Sequence, residues 1–461
     1  MKMIHLTKQC VVGLSFLFII NGCDSFVEVD LPKSQLTSNA VFENYETANA
    51  ALINIYAKIR DTGPLTGTNT GLTNQLGNYT DEIIAYGNPS NPSMQFYNNA
   101  VLPSSSIIAG YWNTSYNQIY AANSLMEGVE NSTSLSIENK NQLKGEALFI
   151  RALAHFYLTS LFGNVPYIKT TDYQKNSTVS RDQSSEVYAN IIADLENSIL
   201  LLSETYSSSD RTRPNKLVCQ ALLARVYLNN KLYAQAANQA SAVLNQTEIF
   251  SLEDPTKVFL ISSRETIWQL QSAAAGQNTK EGSLFIFQTG PPTTMSLNPA
   301  LVNSFPMGDL RKTNWIQPIT KGSTTWYHVF KYKEQNNTAV SKEYSIIFRL
   351  AEQYLIRAEA RIEQGDFIGA KEDLNKIRNR AGLGNTIASS KEEILNAIVQ
   401  ERRWEFFAEH GHRFFDLKRF EQLDASLSTI KPGWNSTDSL LPIPQNELST
   451  NPNLRPQNPG Y

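Results

Sequence analysis

The residues best placed to do chemistry lie in one segment near the C-terminus, ERRWEFFAEHGHRFFDLKR, which spans Glu401–Arg419. Its acids Glu401, Glu405 and Glu409 are four residues apart, so a helix carries all three carboxylates on one face, beside two histidines. A pair of carboxyl groups at a suitable separation is what a glycoside hydrolase needs. Arginines and lysines are interspersed among them, however, and an acid beside a guanidinium group stays ionised and does not donate a proton. We therefore interpret the segment as a structural charge network between helices, and we predict no catalytic residue and no enzymatic activity.

No other motif in the sequence indicates a catalytic or cofactor site. The histidines beyond the N-terminal leader are His155, His328, His410 and His412, and none has HExxH spacing or belongs to a Cys/His cluster. The nucleophile-elbow, P-loop and dinucleotide-binding glycine motifs are absent. The formal net charge is −3, from 40 basic and 43 acidic residues, which provides no basic field for nucleic acid. We predict no metal site, no cofactor and no nucleic-acid partner.

Cys23 is the residue with the clearest covalent chemistry. A leader with two lysines precedes the apolar run Val11–Ile20, which is typical of a secretory signal and is too short to span a bilayer about 30 Å thick. The leader ends in Ile20-Asn21-Gly22-Cys23, which resembles a bacterial lipobox. We predict that residues 1–22 are removed and that Cys23 is acylated, because two or more acyl chains hold a protein durably on a membrane. The alternative is an ordinary signal peptide followed by a chance cysteine.

Cys219 is the one cysteine that remains after the leader and Cys23 are set aside. It lies in an apolar helical run, LVCQALLARVYL, and it has no partner for an internal disulfide. We predict that it is a small buried hydrophobic residue.

Hydrophobic spacing typical of helices recurs along the chain. The predicted helices are Glu43–Arg60, Tyr111–Glu130, Ile137–Phe162, Ser185–Leu202, Pro214–Asn229, Tyr233–Leu244, Glu352–Gln364, Phe367–Ala381 and Lys391–Glu409. Two stretches lack this spacing, 61–108 and 270–345; the second contains the β-like runs SLFIFQT and TTWYHVFKYK. We predict one mainly helical domain over 42–461 that carries these two irregular inserts, preceded by a tether over 23–41. Long loops on a rigid scaffold are where binding usually resides.

Two predicted helix pairs resemble tetratricopeptide repeats. Ala224 is followed twelve positions later by Ala236, and Ala358 is followed by Ala370 at the same spacing. Small residues at these points let two antiparallel helices approach closely, as in a repeat of about 34 residues. A generic helical hairpin is the alternative.

The aromatic residues divide into a core group and a candidate binding group. Trp112, Tyr116 and Tyr120 have helical spacing and Trp268 lies in an apolar run, so we predict that they are buried. Rings in the irregular inserts have no such period, and exposed flat rings are surfaces on which sugars stack. The candidate ligand-binding residues are Tyr79, Asp81, Tyr86, Tyr97, Trp315, Trp326 and Tyr327. The neighbouring polar residues available to bind hydroxyl groups are Asn78, Asn88, Asn314 and Gln317.

Several long segments occur in a recognisable order. They are FVEVDLPKSQLTSNAVFENYETANAALINIYAKIRD, LKGEALFIRALAHFYLTSLFGNVPYI, RLAEQYLIRAEARIEQGD, ERRWEFFAEHGHRFFDLKR and the closing QNPGY. In this combination the chain resembles the SusD/RagB family of outer-membrane lipoproteins of Bacteroidetes. The resemblance implies a tetratricopeptide-like helical scaffold packed against an irregular, loop-rich ligand-binding half with short β segments.

The resemblance also implies a function. Members of this family bind a nutrient at the cell surface, usually an oligosaccharide, and cap a SusC-like TonB-dependent transporter. The acids Asp24, Glu28 and Asp30 resemble the export signal that follows the lipidated cysteine. The implied protein is a glycan-binding lipoprotein without enzymatic activity, and an oligopeptide-binding lipoprotein on the same scaffold is the alternative. The ligand residues of the family share no motif, so none is transferred to this chain.

Overall fold

Helices make up most of the structure, which is a computed structural model describing residues 41–89 and 91–461. The predicted leader, Cys23 and most of the tether lie outside the described residues. Phe42–Tyr461 form one compact unit. The helices of this unit are α1 (Tyr45–Asp61), α2 (Leu72–Tyr79), α3 (Pro92–Tyr97), α4 (Ser106–Asn131), α5 (Ile137–Phe162), α6 (Tyr173–Asn176), α7 (Ser184–Leu201), α8 (Lys216–Asn229), α9 (Tyr233–Leu244), α10 (Lys280–Phe285), α11 (Pro299–Ser304), α12 (Leu310–Trp315), α13 (Leu350–Glu363), α14 (Phe367–Arg380), α15 (Lys391–Phe406), α16 (His412–Arg419), α17 (Leu423–Leu427) and α18 (Gln445–Thr450).

Local capping explains where the long helices begin and end. The Ser136 side chain accepts a hydrogen bond from the Asn139 N–H at the start of α5, and Gly163 ends the helix with a φ of 75°. Asn215 caps α8 through the Val218 N–H, so Pro214 precedes the cap and does not lie in the first turn as predicted. The helix α15 ends at Phe406, before the predicted Glu409, because Ala408 and His410 have positive φ angles.

The close helix packing predicted at the alanine pairs is confirmed. Ala224, Ala236, Ala358 and Ala370 are all fully buried. The helices α8 and α9 pack together, α13 and α14 pack together, and α9 also packs on α13, so the two pairs are neighbours. Upstream of them, α5 packs between α4 and α7. This succession of neighbouring helices is the scaffold of the molecule.

Short strands form three two-stranded antiparallel sheets, which pair β1 with β3, β2 with β6 and β4 with β5. The strands are β1 (Ile83–Ala85), β2 (Thr266–Leu270), β3 (Met295–Leu297), β4 (Ile316–Lys321), β5 (Thr324–Val329) and β6 (Ser345–Arg349). The prediction of a strand in TTWYHVFKYK is confirmed by β5. The prediction for SLFIFQT is wrong, because the Thr279 hydroxyl accepts from the Gly282 N–H and starts the helix α10 there.

The predicted core residues are mostly buried. Trp268 and Cys219 are fully buried, and the Cys219 sulfur lies 3.1 Å from the Ser198 hydroxyl. Trp112 is buried and Tyr116 is half-buried. The prediction for Tyr120 is wrong, since its side chain is 52% exposed on the outer face of α4. Within residues 41–89 and 91–461, the helices lack the combined length and apolar character that a membrane span requires.

Candidate ligand-binding site

Tyr79 is a core residue in this structure, and its predicted role as a ligand contact is contradicted. Its ring is fully buried at the end of α2 and makes edge contacts with Phe96, Phe414 and Trp434. Its hydroxyl donates to the Asp438 carbonyl oxygen at 3.2 Å. No face of this ring is left for a sugar.

Trp315 is likewise contradicted as a ligand contact. The indole is fully buried at the end of α12, and its Nε1–H donates to the Pro255 carbonyl oxygen at 2.7 Å. Its ring packs edge-on against Phe259 at 5.4 Å between centroids. The residue anchors the second insert to the apolar core beneath it.

Asp81 is also unavailable to a ligand, because it is buried between two arginines. Arg403 and Arg413 approach its carboxylate to 2.7 Å and 2.9 Å. Burial alone raises the pKa of Asp81, but the two guanidinium groups hold it below its ordinary value. The residue therefore joins α15 and α16 to the first insert as an ionised group.

The segment Glu401–Arg419 forms the charge network that its sequence predicts. Arg311 lies 2.7 Å from Glu401 and 3.0 Å from Glu405. Arg349 lies 2.9 Å from Glu409 and also pairs with Glu405. All these side chains are buried. The geometry supports a structural role, because Glu401, Glu405 and Glu409 are each buried and paired with an arginine.

Two details of this network differ from the sequence interpretation. Glu409 lies in the turn after α15 and not on the helix. The pKa of Glu409 is lowered by Arg349 and Lys331 in spite of burial, whereas burial raises the pKa of Glu401 in spite of Arg311. Glu401 pairs with Arg311 and Arg378, and Glu409 pairs with Lys331 and Arg349, so the two pKa values shift in opposite directions although each acid has two cationic partners.

The remaining candidate rings are half-buried in the inserts. The Tyr86 hydroxyl lies 3.0 Å from the Ser296 hydroxyl, next to the β1–β3 pair. The Tyr97 ring lies 3.9 Å from the Lys431 ammonium, measured to the ring centroid. Both residues are partly exposed to solvent.

Trp326 and Tyr327 lie on opposite faces of the β4–β5 hairpin. The register pairs Trp326 with Ile319 and Tyr327 with Pro318, and side chains alternate between the two faces of a strand. Tyr327 packs on the apolar core, while Trp326 lies against the backbone of Gly290, where a β-carbon would come within 2.4 Å of its ring. The exposed amide of Gln317 shares the Trp326 face. A ring beside a free amide is a combination suited to a sugar.

The other polar candidates differ in how far a ligand can reach them, and two of the three have their amides in hydrogen bonds within helices. Asn78 is buried on α2, where its amide donates to Asn74. The Asn314 amide donates to the Leu310 carbonyl oxygen within α12. Asn88 is exposed in the first insert.

A polar cavity of about 240 Å³ lies where the two inserts meet. The first insert contributes Leu65 and Gly67, and the second contributes most of the wall. The amide side chains in this wall are Gln277, Asn278, Gln335, Asn336 and Asn337. None of the seven predicted ligand residues lines it. The sequence signal for this site is the run Gln335-Asn336-Asn337, which a search for aromatic rings does not detect.

Glu281 and Gly67 form one end of this cavity. Glu281 is 5% exposed, and its Oε1 atom accepts a hydrogen bond from the Ser345 hydroxyl. Its Oε2 atom has no hydrogen-bond partner among the described residues. A β-carbon at Gly67 would lie 2.1 Å from this oxygen, so the carboxylate requires glycine there. A buried acceptor without a donor costs free energy that an incoming hydroxyl group would recover.

The amide wall is held in shape by its own hydrogen bonds. The Asn278 amide donates to the Asn336 carbonyl oxygen at 3.0 Å, and its oxygen accepts from the Lys342 N–H at 2.8 Å. The side chains of Asn336 and Asn337 are exposed to solvent. The Asn278 side chain is thereby fixed with its donors and its acceptor in use, since it also donates to the Thr338 hydroxyl, and the exposed side chains of Asn336 and Asn337 are the amides available to a ligand.

The cavity and the hairpin contact the same segment, residues 286–290. Gln335 donates to the Ile286 carbonyl oxygen at 2.8 Å, and Trp326 packs on Gly290. Among the described residues, no group of histidine, cysteine and acidic side chains is arranged to hold a metal ion. The candidate binding surface is defined here as the amide cavity together with the Trp326 face of the hairpin.

Two family models and several known proteins match the sequence of this chain. The family model described as "Starch-binding associating with outer membrane" matches residues 30–228, and the SusD family model matches residues 310–461. SusD-like protein P2 of Formosa agariphila is 27% identical over 98% of this chain and 100% of its own. The starch-binding protein SusD of Bacteroides thetaiotaomicron is 36% identical over 25% of this chain and 21% of its own.

Solved structures agree with the fold. A SusD superfamily protein from Bacteroides vulgatus superposes with a TM-score of 0.80 at 22% identity, covering 91% of this chain and all of that one. A structure described as a laminarin binding SusD-like protein has a TM-score of 0.75 at 25% identity, covering 90% of this chain and 99% of its own. The mainly helical fold, the two matching family models and the full-length relatives together place this chain in the SusD/RagB family.

Proposed function

We propose that this protein binds oligosaccharides at the cell surface without transforming them. The observation that carries the proposal is the cavity of about 240 Å³ between the two inserts, whose wall is rich in side-chain amides. Amides donate and accept at once, as sugar hydroxyl groups do. The likeness to a laminarin binding protein supports a glycan as the ligand.

In this proposal the two parts of the candidate surface have different tasks. The amides and the free Oε2 atom of Glu281 bind hydroxyl groups of one sugar unit. The half-buried ring of Trp326, beside Gln317, stacks on a neighbouring unit. Affinity is modest, in the micromolar range or weaker, because wet hydrogen bonds and partly exposed stacking leave little net free energy after the cost of association.

The proposal also covers anchoring and delivery. Acylated Cys23 holds the chain on the outer membrane, and the tether over 23–41 leaves the folded unit free to move. A SusC-like TonB-dependent transporter receives the glycan, and the tetratricopeptide-like pairs α8–α9 and α13–α14 supply the surface that meets it. Repeat scaffolds of this kind present extended binding surfaces. The adjacent, fully buried alanines of these pairs support a rigid platform.

The test is a binding screen of the full-length protein against a panel of neutral polysaccharides and oligopeptides. We expect a glycan to bind, and the double variant Asn336→Ala/Asn337→Ala to bind it at least about tenfold more weakly. Asn131→Ala, an exposed asparagine outside both inserts, is the matched control and should bind normally. Binding of peptides alone would replace the glycan with an oligopeptide ligand, and release of new reducing ends from any polysaccharide would contradict the non-enzymatic role.

A further inference from the structure

A second, larger cavity lies outside both inserts, at the C-terminal end of α5. Its volume is about 580 Å³, within the range of sites that hold small organic molecules. The start of α7, the helix α16 and the C-terminal segment also contribute to its wall. Thr159, Tyr188, Phe415 and Asn458 are among the lining residues.

Arg181 is a cation of this wall without an acidic partner. Its guanidinium donates to the Asn458 side-chain oxygen at 3.0 Å and to the Pro456 carbonyl oxygen at 2.6 Å. In the described part of the chain, no carboxylate lies within ion-pair distance of it. Partial burial lowers the pKa of Arg181, and no nearby acid opposes this effect.

Lys418 is the second such cation. Its ammonium donates to the Ser160 carbonyl oxygen in the last turn of α5, at 2.9 Å. No carboxylate of the described residues pairs with it, and burial lowers the pKa of Lys418 to about 8. A cation near a helix C-terminus is favourable in itself. That contact uses one of the three N–H donors of Lys418, which is among the residues that line the cavity.

The other cations of the wall are already neutralised. Arg419 pairs with Asp416 at 2.8 Å and with Glu359, and Lys231 lies 3.5 Å from Glu421. Arg181 and Lys418 thus leave the cavity with two uncompensated positive charges. Asn458 connects them structurally, because it accepts from Arg181 and donates to the Phe162 carbonyl oxygen, two residues after the one that Lys418 contacts.

We propose that this cavity binds the carboxylate group of a small organic acid between Arg181 and Lys418. Two cations on the wall of one cavity suit the two oxygens of a carboxylate, and hydrogen bonds between charged groups are the stronger ones. The volume exceeds the needs of an inorganic ion and accommodates a sugar acid or an acidic amino-acid derivative. The site is separate from the amide cavity and does not depend on the proposed glycan binding.

Isothermal titration calorimetry of the full-length protein tests this site, with sodium glucuronate, N-acetylglutamate and neutral glucose as probes. We expect at least one acid to bind and glucose not to bind at this site. The affinity should fall about tenfold or more in Lys418→Met and in Arg181→Gln, and it should fall as the salt concentration rises. Comparison of the two affinities shows whether the site prefers a sugar acid or an acidic amino-acid derivative.

Lys231→Met is the matched control, because Lys231 lies on the same wall but is paired with Glu421. Loss of Lys231 leaves Glu421 unpaired but largely exposed to solvent, so the affinity of this variant for the acid should fall by less than that of either cavity variant. The proposal is overturned when neither acid binds, when glucose competes equally, or when binding survives both cavity variants. Should Lys418→Met fail to fold, Arg181→Gln decides, since glutamine preserves hydrogen bonding at that position.

Discussion

Glu82 is an unusual residue of the first insert, because it is a buried carboxyl next to an ionised one. Burial and the neighbouring charge of Asp81 raise the pKa of Glu82 to about 7. Its Oε2 atom accepts a long hydrogen bond from the Ala408 N–H at 3.4 Å, and its Oε1 atom has no partner among the described residues. The folded protein therefore holds Glu82 mainly in its protonated form below about pH 7.

This state makes the stability depend on pH, and Glu82→Gln should remove that dependence. A raised folded-state pKa contributes stability that is present below the unfolded value of about 4.5 and is lost as pH rises through about 7. Glutamine stays neutral, so the variant should gain up to about 3 kcal/mol relative to the wild type between pH 5 and pH 8. Urea unfolding at both pH values measures this, with the exposed Glu138→Gln as control. Parallel pH profiles of wild type and Glu82→Gln would contradict it.

Replacement by alanine should have different effects at two tryptophans of the second insert: one substitution should lower stability and the other should lower glycan affinity. Trp315 is fully buried, so Trp315→Ala should lower the free energy of unfolding by about 3–5 kcal/mol. Trp326 is half-buried on the hairpin, so Trp326→Ala should mainly weaken glycan binding, by roughly tenfold. Chemical unfolding and calorimetry separate the two effects, and Tyr120→Ala, which removes an exposed ring of α4, should change neither. Unaltered glycan affinity in Trp326→Ala would sink the stacking role.

At the scale of elements, Arg349 is the residue that joins several parts of the fold through ion pairs. It is the last residue of β6 and stands immediately before α13, and its guanidinium lies 2.9 Å from Glu265 and 2.9 Å from Glu409. It also pairs with Glu405 of α15. The strand, the long helix and the following turn are therefore fixed to one another through a single side chain.

Arg349→Met should destabilise the protein by about 3–5 kcal/mol, because it leaves buried carboxylates without their partner. Thermal and urea unfolding measure the loss. Lys144→Met is the control: the Lys144–Glu130 pair is exposed by 40% and 70%, so its removal should cost less than about 1 kcal/mol. Equal effects of the two substitutions would show that the buried network does not hold these elements together.

The sequence predicts the scaffold well because its signals are local. Hydrophobic spacing and the Ser136 and Gly163 caps define α5 within the chain itself. The secondary structure of the second insert is harder to predict, because the Thr279 cap starts the helix α10, which includes the first residues of the apolar run SLFIFQT. Spacing alone also places Glu409 on a helix that the positive φ at Ala408 has already ended.

The candidate site is poorly predicted because burial in the inserts depends on distant partners. Tyr79 and Trp326 both lie in stretches that lack helical spacing in the sequence, yet the Tyr79 hydroxyl bonds to Asp438, 359 positions away. Trp315 is likewise buried by a contact 60 positions away, with Pro255. The Glu281 and Gly67 contact also joins the two inserts across the chain. A sequence pattern within one segment cannot predict contacts between residues that lie so far apart in the chain.

At the scale of the whole molecule, the scaffold and the inserts supply different functions in the proposed mechanism. Successive packed helices give a rigid body, and both inserts are joined to it through buried groups such as Asp81 and Trp315. The binding surface is thereby carried as one unit with the helical pairs. We propose that a lipid on the tether lets this unit move relative to a transporter while it stays on the membrane.

The anchoring proposal gives a prediction for the entire protein. Cys23→Ser should move the protein from the outer-membrane fraction to the soluble fraction, because acyl chains on Cys23 are the proposed source of its membrane affinity. Cys219→Ser is the matched control: that thiol is fully buried in α8, so its loss should leave the membrane fraction unchanged. Fractionation of cells and metabolic labelling with a fatty acid provide the two readouts. Cys23→Ser protein that still sediments with the outer membrane after a high-salt wash would show that another contact holds it there.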